Sequence, residues 1–135
     1  MPYLTALVLT AQLANAALQS AQADPRIEDA RRNESWVARY NKALDEIRRE
    51  RYDEAIALLR TAIAIDPEAQ PNRIVAKGVY ENYFPHYYLS IAYLKSGQVA
   101  KAREYYNLRG PLTQKLVAEA KAFEQELIRA EQRRH

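Results

Sequence analysis

Leu112, Leu116, Ala120, Phe123, Leu127 and Ala130 recur every three or four residues and share one stripe of a helix, with charged residues filling many of the positions between. This pattern predicts a closing helix over 112–132 with one buried and one solvated face. Upstream, two further pairs of helices are expected. The first runs from about Trp36 to Arg49 with Asn33 or Ser35 as its N-cap. The second runs from about Asp53 to Ile65 and ends where Pro67 denies the next turn a donor. The third opens with Pro85, which a first turn tolerates, and stops at Gly97. The fourth, VAKAREYYNL, ends at Gly110-Pro111. Residues 24–35 read as a polar connector and residues 70–82 as an insertion. The expected fold is all-α, a helix-turn-helix repeat array over 36–135.

The two pairs are copies of one plan. Laying one on the other aligns Glu50-Arg51-Tyr52-Asp53-Glu54-Ala55 with Gly97-Gln98-Val99-Ala100-Lys101-Ala102, and Leu59 with Tyr106, an offset of 47 residues. Each alanine stands where two helices approach most closely, and each large residue follows one turn later on the same face.

On these residues the chain resembles the tetratricopeptide repeat family, with two degenerate repeats at about 36–69 and 83–110. In the first, Ala43, Ala55, Leu59, Ala62 and Pro67 occupy the family's small, small, aromatic, small and proline positions. In the second, Leu89, Ser90, Tyr93, Gly97, Ala102 and Tyr106 match. Glu46 stands where the first unit should carry an aromatic, and Arg109 and Gln114 replace a small residue and a proline in the second. The 47-residue offset exceeds the family period of about 34 residues, and the excess is the insertion.

The resemblance implies a concave surface lined from the first helix of each unit. That selects Val37, Tyr40, Leu44, Ile47 and Arg48, then Phe84, Tyr87, Ile91, Leu94 and Lys95. A groove this apolar fits an amphipathic helix. The helix would come from a protein or peptide partner, from residues 4–22, or from another copy of the chain as a homo-oligomer or filament. The implied function is a non-catalytic protein–protein interaction or scaffold module.

Residues 1–23 contain no Asp, Glu, Lys or Arg, whereas charges come every few residues from Asp24 onward. An apolar run from Leu4 to Leu18 followed by Ala21-Gln22-Ala23 has the core and cleavage site of a secretory signal, without its positive start. Export to a periplasmic or extracellular space is the expectation. The alternative is a retained amphipathic helix in a cytoplasmic protein, since Thr5, Gln12, Asn15, Gln19 and Gln22 gather on one side. The run is too short and too interrupted for a stable membrane span.

Composition narrows the chemistry. There is no cysteine, hence no disulfide, thiolate ligand or thiol nucleophile. His86 and His135 do not form a metal-ligand pair, the serines lie in no nucleophile-elbow context, and the three glycines make no phosphate loop. No enzyme activity, metal or cofactor is expected. A net charge of +3, with 14 Arg against 6 Lys, keeps a second reading open. Arg48, Arg49, Arg51, Arg73, Lys77, Arg103 and Arg109, with Tyr80 and Tyr83, are candidate contacts for single-stranded nucleic acid.

Overall fold

The computed structural model describes residues 24–76 and 79–134. The chain falls into two compact units, Met1–Arg31 and Arg32–His135. Residues 1–23, on which the signal-or-helix question turns, lie outside the described residues, and so do Lys77 and Gly78.

Five helices and one small hairpin make up the described chain, in keeping with an all-α array. Helix α1 (Pro25–Arg48) begins well before Trp36, so 25–35 of the expected 24–35 connector is helix. Asp24 explains the early start. Its carboxylate accepts the Arg26 N–H at 3.0 Å, its carbonyl accepts the Glu28 N–H, and Pro25 stands at the first helical position where no donor is needed. Asn33 and Ser35 sit inside the helix and serve other ends. The Asn33 Oδ1 accepts the Trp36 indole N–H at 3.0 Å, and the Ser35 carbonyl accepts from Arg39.

Helix α2 (Tyr52–Ile65) buries Ala55, Ile56, Leu59 and Ala62. Helix α3 (Pro85–Lys95) buries Tyr87, Leu89, Ser90, Ala92 and Tyr93, and α4 (Val99–Asn107) buries Ala102 and Tyr106. Helix α5 (Gln114–Arg133) starts at Thr113, whose hydroxyl accepts the Leu116 N–H at 3.4 Å, and buries Ala120, Phe123, Leu127 and Ala130. The predicted stripe is therefore the buried one, apart from Leu112 and Leu116, which pack against the core only in part.

Small residues sit where the repeat alignment requires them. Ala43 and Ser90, 47 residues apart, are both fully buried, as are Ala55 and Ala102. Ser90 turns its hydroxyl onto the Tyr87 carbonyl at 2.8 Å, which satisfies the one polar atom it brings into the core. Tyr40 of α1 meets Tyr88 of α3 edge-on, and Tyr87 of α3 meets Phe123 of α5 edge-on. Helix α3 thus touches α1 and α5 through these rings, and it packs against α2 and α4.

Residues 70–82 hold the one departure from helix. Strand β1 (Gln70–Ala76) pairs antiparallel with β2 (Val79–Tyr83), Arg73 opposite Glu81 and Ile74 opposite Tyr80, with register irregularities on either side of Arg73-Ile74. In the sequence, runs rich in Ile, Val and Tyr on either side of a glycine are a hairpin signal.

Candidate interaction surface

The hairpin is clamped at its base. Tyr83 is fully buried against Trp36, ring centroids 4.1 Å apart, and donates its hydroxyl to the Asp66 carbonyl at 2.7 Å. Arg73 crosses the same place. Its guanidinium lies 5.0 Å from the Trp36 ring centroid and 5.8 Å from that of Tyr83, donates to the Glu68 carbonyl at 3.0 Å, and pairs with the Asp66 carboxylate. Burial pushes the Asp66 carboxyl up. The hydrogen bonds from Arg73 and the Glu68 backbone N–H outweigh that and hold it below its ordinary value. Arg73 and Tyr83 are therefore engaged in joining the insertion to the first helix pair.

The other arginines proposed for nucleic acid are mostly engaged in the same way. Arg48 pairs with Asp45 at 2.7 Å and Arg51 with the buried Glu46 at 3.0 Å. Arg103 grips Glu131 through two hydrogen bonds of 2.6 and 2.9 Å, and Arg109 lies 4.1 Å from the Tyr106 ring centroid while donating to the Tyr106 carbonyl. Arg49 is exposed and has no ion pair among the described residues. Lys77 and the Tyr80 side chain lie outside the described residues. Arg48, Arg51, Arg73, Arg103 and Arg109 thus each have a partner within the chain.

The groove residues divide into two sets. Tyr40, Phe84 and Tyr87 are 3%, 1% and 0% exposed and belong to the core. The Tyr40 hydroxyl accepts the Phe84 N–H at 3.3 Å, and the Tyr87 hydroxyl donates to Glu119 of α5 at 3.0 Å. Their burial follows from the rings they meet, Tyr83 against Tyr40 and both Tyr88 and Phe123 against Tyr87. Val37, Leu44, Ile47, Ile91 and Leu94 are half-buried, packed against the core and still reached by solvent. Arg48 and Lys95 are exposed. Leu44 and Ile91, and Ile47 and Leu94, are pairs 47 residues apart, so α1 and α3 present the same apolar ledge.

Two contributions were not selected from the sequence. Tyr88 is half-buried between Tyr40 and Tyr87, with ring centroids at 6.1 and 5.2 Å. Burial pushes its phenol up, the Glu119 charge adds to that, and Arg48 opposes it. The second contribution is the acidic edge of α5. Glu126 pairs with Lys95 at 3.6 Å, so the closing helix borders the ledge as a third wall.

Among the described residues no group of three or more His, Cys, Asp or Glu could hold a metal ion, and no helix is long and apolar enough to cross a membrane. His86 is half-buried and stacked on Tyr105 at 6.2 Å. Its Nδ1 atom is buried without a hydrogen-bond partner, and burial pulls the imidazole below its ordinary pKa. No protein-family model matches the chain, and no curated protein is detectably similar to it.

Proposed function

We propose that this chain is a non-catalytic interaction module that receives an amphipathic helix along the ledge of α1 and α3. The observation that carries the reading is the repetition of half-buried apolar residues, Leu44 and Ile47 on one helix and Ile91 and Leu94 on its neighbour. Side chains at these positions stabilise the fold only in part, and a partner helix would bury what remains at about 25 cal/mol per Å² of apolar area. Tyr88 offers an amphipathic centre to such a contact, and Arg48 and Lys95 offer charge at its rim.

The reading is in line with the resemblance to tetratricopeptide repeats, which use paired helices as a binding scaffold. It is supported by the helix turns at Glu50 and Gly97 being built alike, each left-handed and closed by the same pair of crossed hydrogen bonds. The partner helix belongs either to another protein or to a second copy of the chain.

Leu44→Glu with Ile91→Glu is the test. Both side chains are partly solvated, so the helices should persist, as circular dichroism would register. Sedimentation of the full chain over a concentration series, and capture of a partner from the native source, should both lose the association present in the parent protein. If association is the same in parent and double variant, the ledge is not the contact.

A further inference from the structure

At the far end of α5 positive charge outnumbers acid on a concave surface. A cavity of 560 Å³ opens between the α3–α4 turn and the last turns of α5. Leu94, Val99 and Ala130 supply its apolar part, and Lys95, Arg129, Arg133 and Arg134 bring cations to it. One carboxylate, Glu126, belongs to the lining, and it is paired with Lys95. Another acid, Glu131, is held by the two hydrogen bonds from Arg103 in an adjoining cavity of 470 Å³ that shares Val99 and Arg134 with the first. Arg129, Arg133 and Arg134 are exposed and left with no carboxylate partner among the described residues.

Cations in a last helical turn complement its dipole, and this accounts for finding arginine there. It does not account for three guanidinium groups and an ammonium converging on a concave surface with apolar side chains among them. Guanidinium forks bind carboxylate or phosphate oxygens in pairs. A nucleic acid would want an aromatic face on which to stack bases, and no aromatic side chain lines this cavity. Leu94, Val99 and Ala130 instead favour a ligand that has apolar side chains beside its charges.

We propose that this cavity is a docking site for an acidic peptide segment of a partner protein, with carboxylates on Arg129 and Arg133 and an apolar side chain against Leu94 and Val99. The site shares Leu94, Lys95 and Glu126 with the end of the ledge but does not include Leu44 or Ile91, so a change at Leu44 tells the two apart.

Fluorescence anisotropy of the full chain with a short labelled peptide of glutamates around a leucine pair tests it, with the glutamine counterpart, inorganic triphosphate and oligothymidylate as competitors. Saturable binding at low salt is expected, weakening as salt rises. Arg129→Gln with Arg133→Gln should weaken it about tenfold or more, equivalent to about 1.4 kcal/mol. Arg49→Gln with Arg60→Gln removes the same net charge elsewhere and should leave it unchanged, as should Leu44→Glu. Absence of saturable binding overturns the proposal, and so does an equal loss in both arginine pairs. Displacement by triphosphate or oligothymidylate at lower concentration than by unlabelled acidic peptide overturns it in favour of a phosphate ligand.

Discussion

Glu50 and Gly97 hold the same place in two successive helix turns and take the same left-handed conformation, φ 60° and 86°. Behind Glu50, its own N–H donates to the Ile47 carbonyl at 3.0 Å and the Arg51 N–H donates to the Glu46 carbonyl at 2.8 Å. Behind Gly97, the Gly97 N–H donates to Leu94 and the Gln98 N–H to Tyr93 at the same two distances. Both turns are Schellman caps, in which crossed hydrogen bonds satisfy carbonyls the ending helix leaves open. Only one of them has glycine where a Cβ is a burden.

Glu50→Gly should therefore stabilise the protein, by about 1 kcal/mol, because a left-handed residue with a Cβ costs about 1–2 kcal/mol. Thermal denaturation would register this as a rise of about 4 °C in Tm. Gly97→Ala should cost a similar amount. Nothing lies within 4 Å of the Cβ it would add, so the penalty is conformational rather than steric.

Arg73→Ala should loosen the hairpin before it unfolds the helices. The change strips Asp66 of its partner and uncovers Trp36 and Tyr83, for a loss of about 2–3 kcal/mol. Hydrogen exchange would show amides of Gln70–Tyr83 losing protection while those of α3 and α4 keep theirs. Arg73→Lys keeps the charge without the planar fork and should fall between.

The Tyr87 hydroxyl ties α3 to α5 through Glu119. Tyr87→Phe keeps the packing with Phe123 and should cost about 1 kcal/mol in a denaturant melt. Tyr87→Ala opens the core and should cost about 3–5 kcal/mol. Equal losses for the two would mean that the ring contributes nothing, against its full burial.

Acid should destabilise the fold partly through His86. Burial depresses its folded-state pKa, so the unfolded chain binds the proton first. Stability is complete above the ordinary value of 6.5 and declines as the pH falls from there through the lower folded value. His86→Phe, which preserves a ring beside Tyr105, should flatten the slope of stability against pH just below neutrality. A second decline at more acid pH belongs to Asp66, whose depressed carboxyl loses its ion pair to Arg73 on protonation.

Much of this architecture is legible in the chain itself. Helical spacing located α2 to α5 within a few residues. The 47-residue offset identified which positions are equivalent, and the aligned turns at Glu50 and Gly97 proved to have one geometry. These features are local: hydrogen bonds that close within a turn, and side chains that share a face because of a 3.6-residue period. The start of α1 was local too, at Asp24-Pro25, but polar residues downstream masked it.

Only the tertiary structure decided which aromatic residues were core and which were surface. Tyr87 and Tyr88 are consecutive, and helical period alone cannot say that Tyr87 fills the seam with α5 while Tyr88 remains half-solvated. That choice depends on Phe123, far along the chain. Arg73 likewise reads as an available cation until the chain returns it to Asp66 and Trp36. Whether a charge or a ring is free depends on partners distant in sequence, and those distances exist only once the helices have packed.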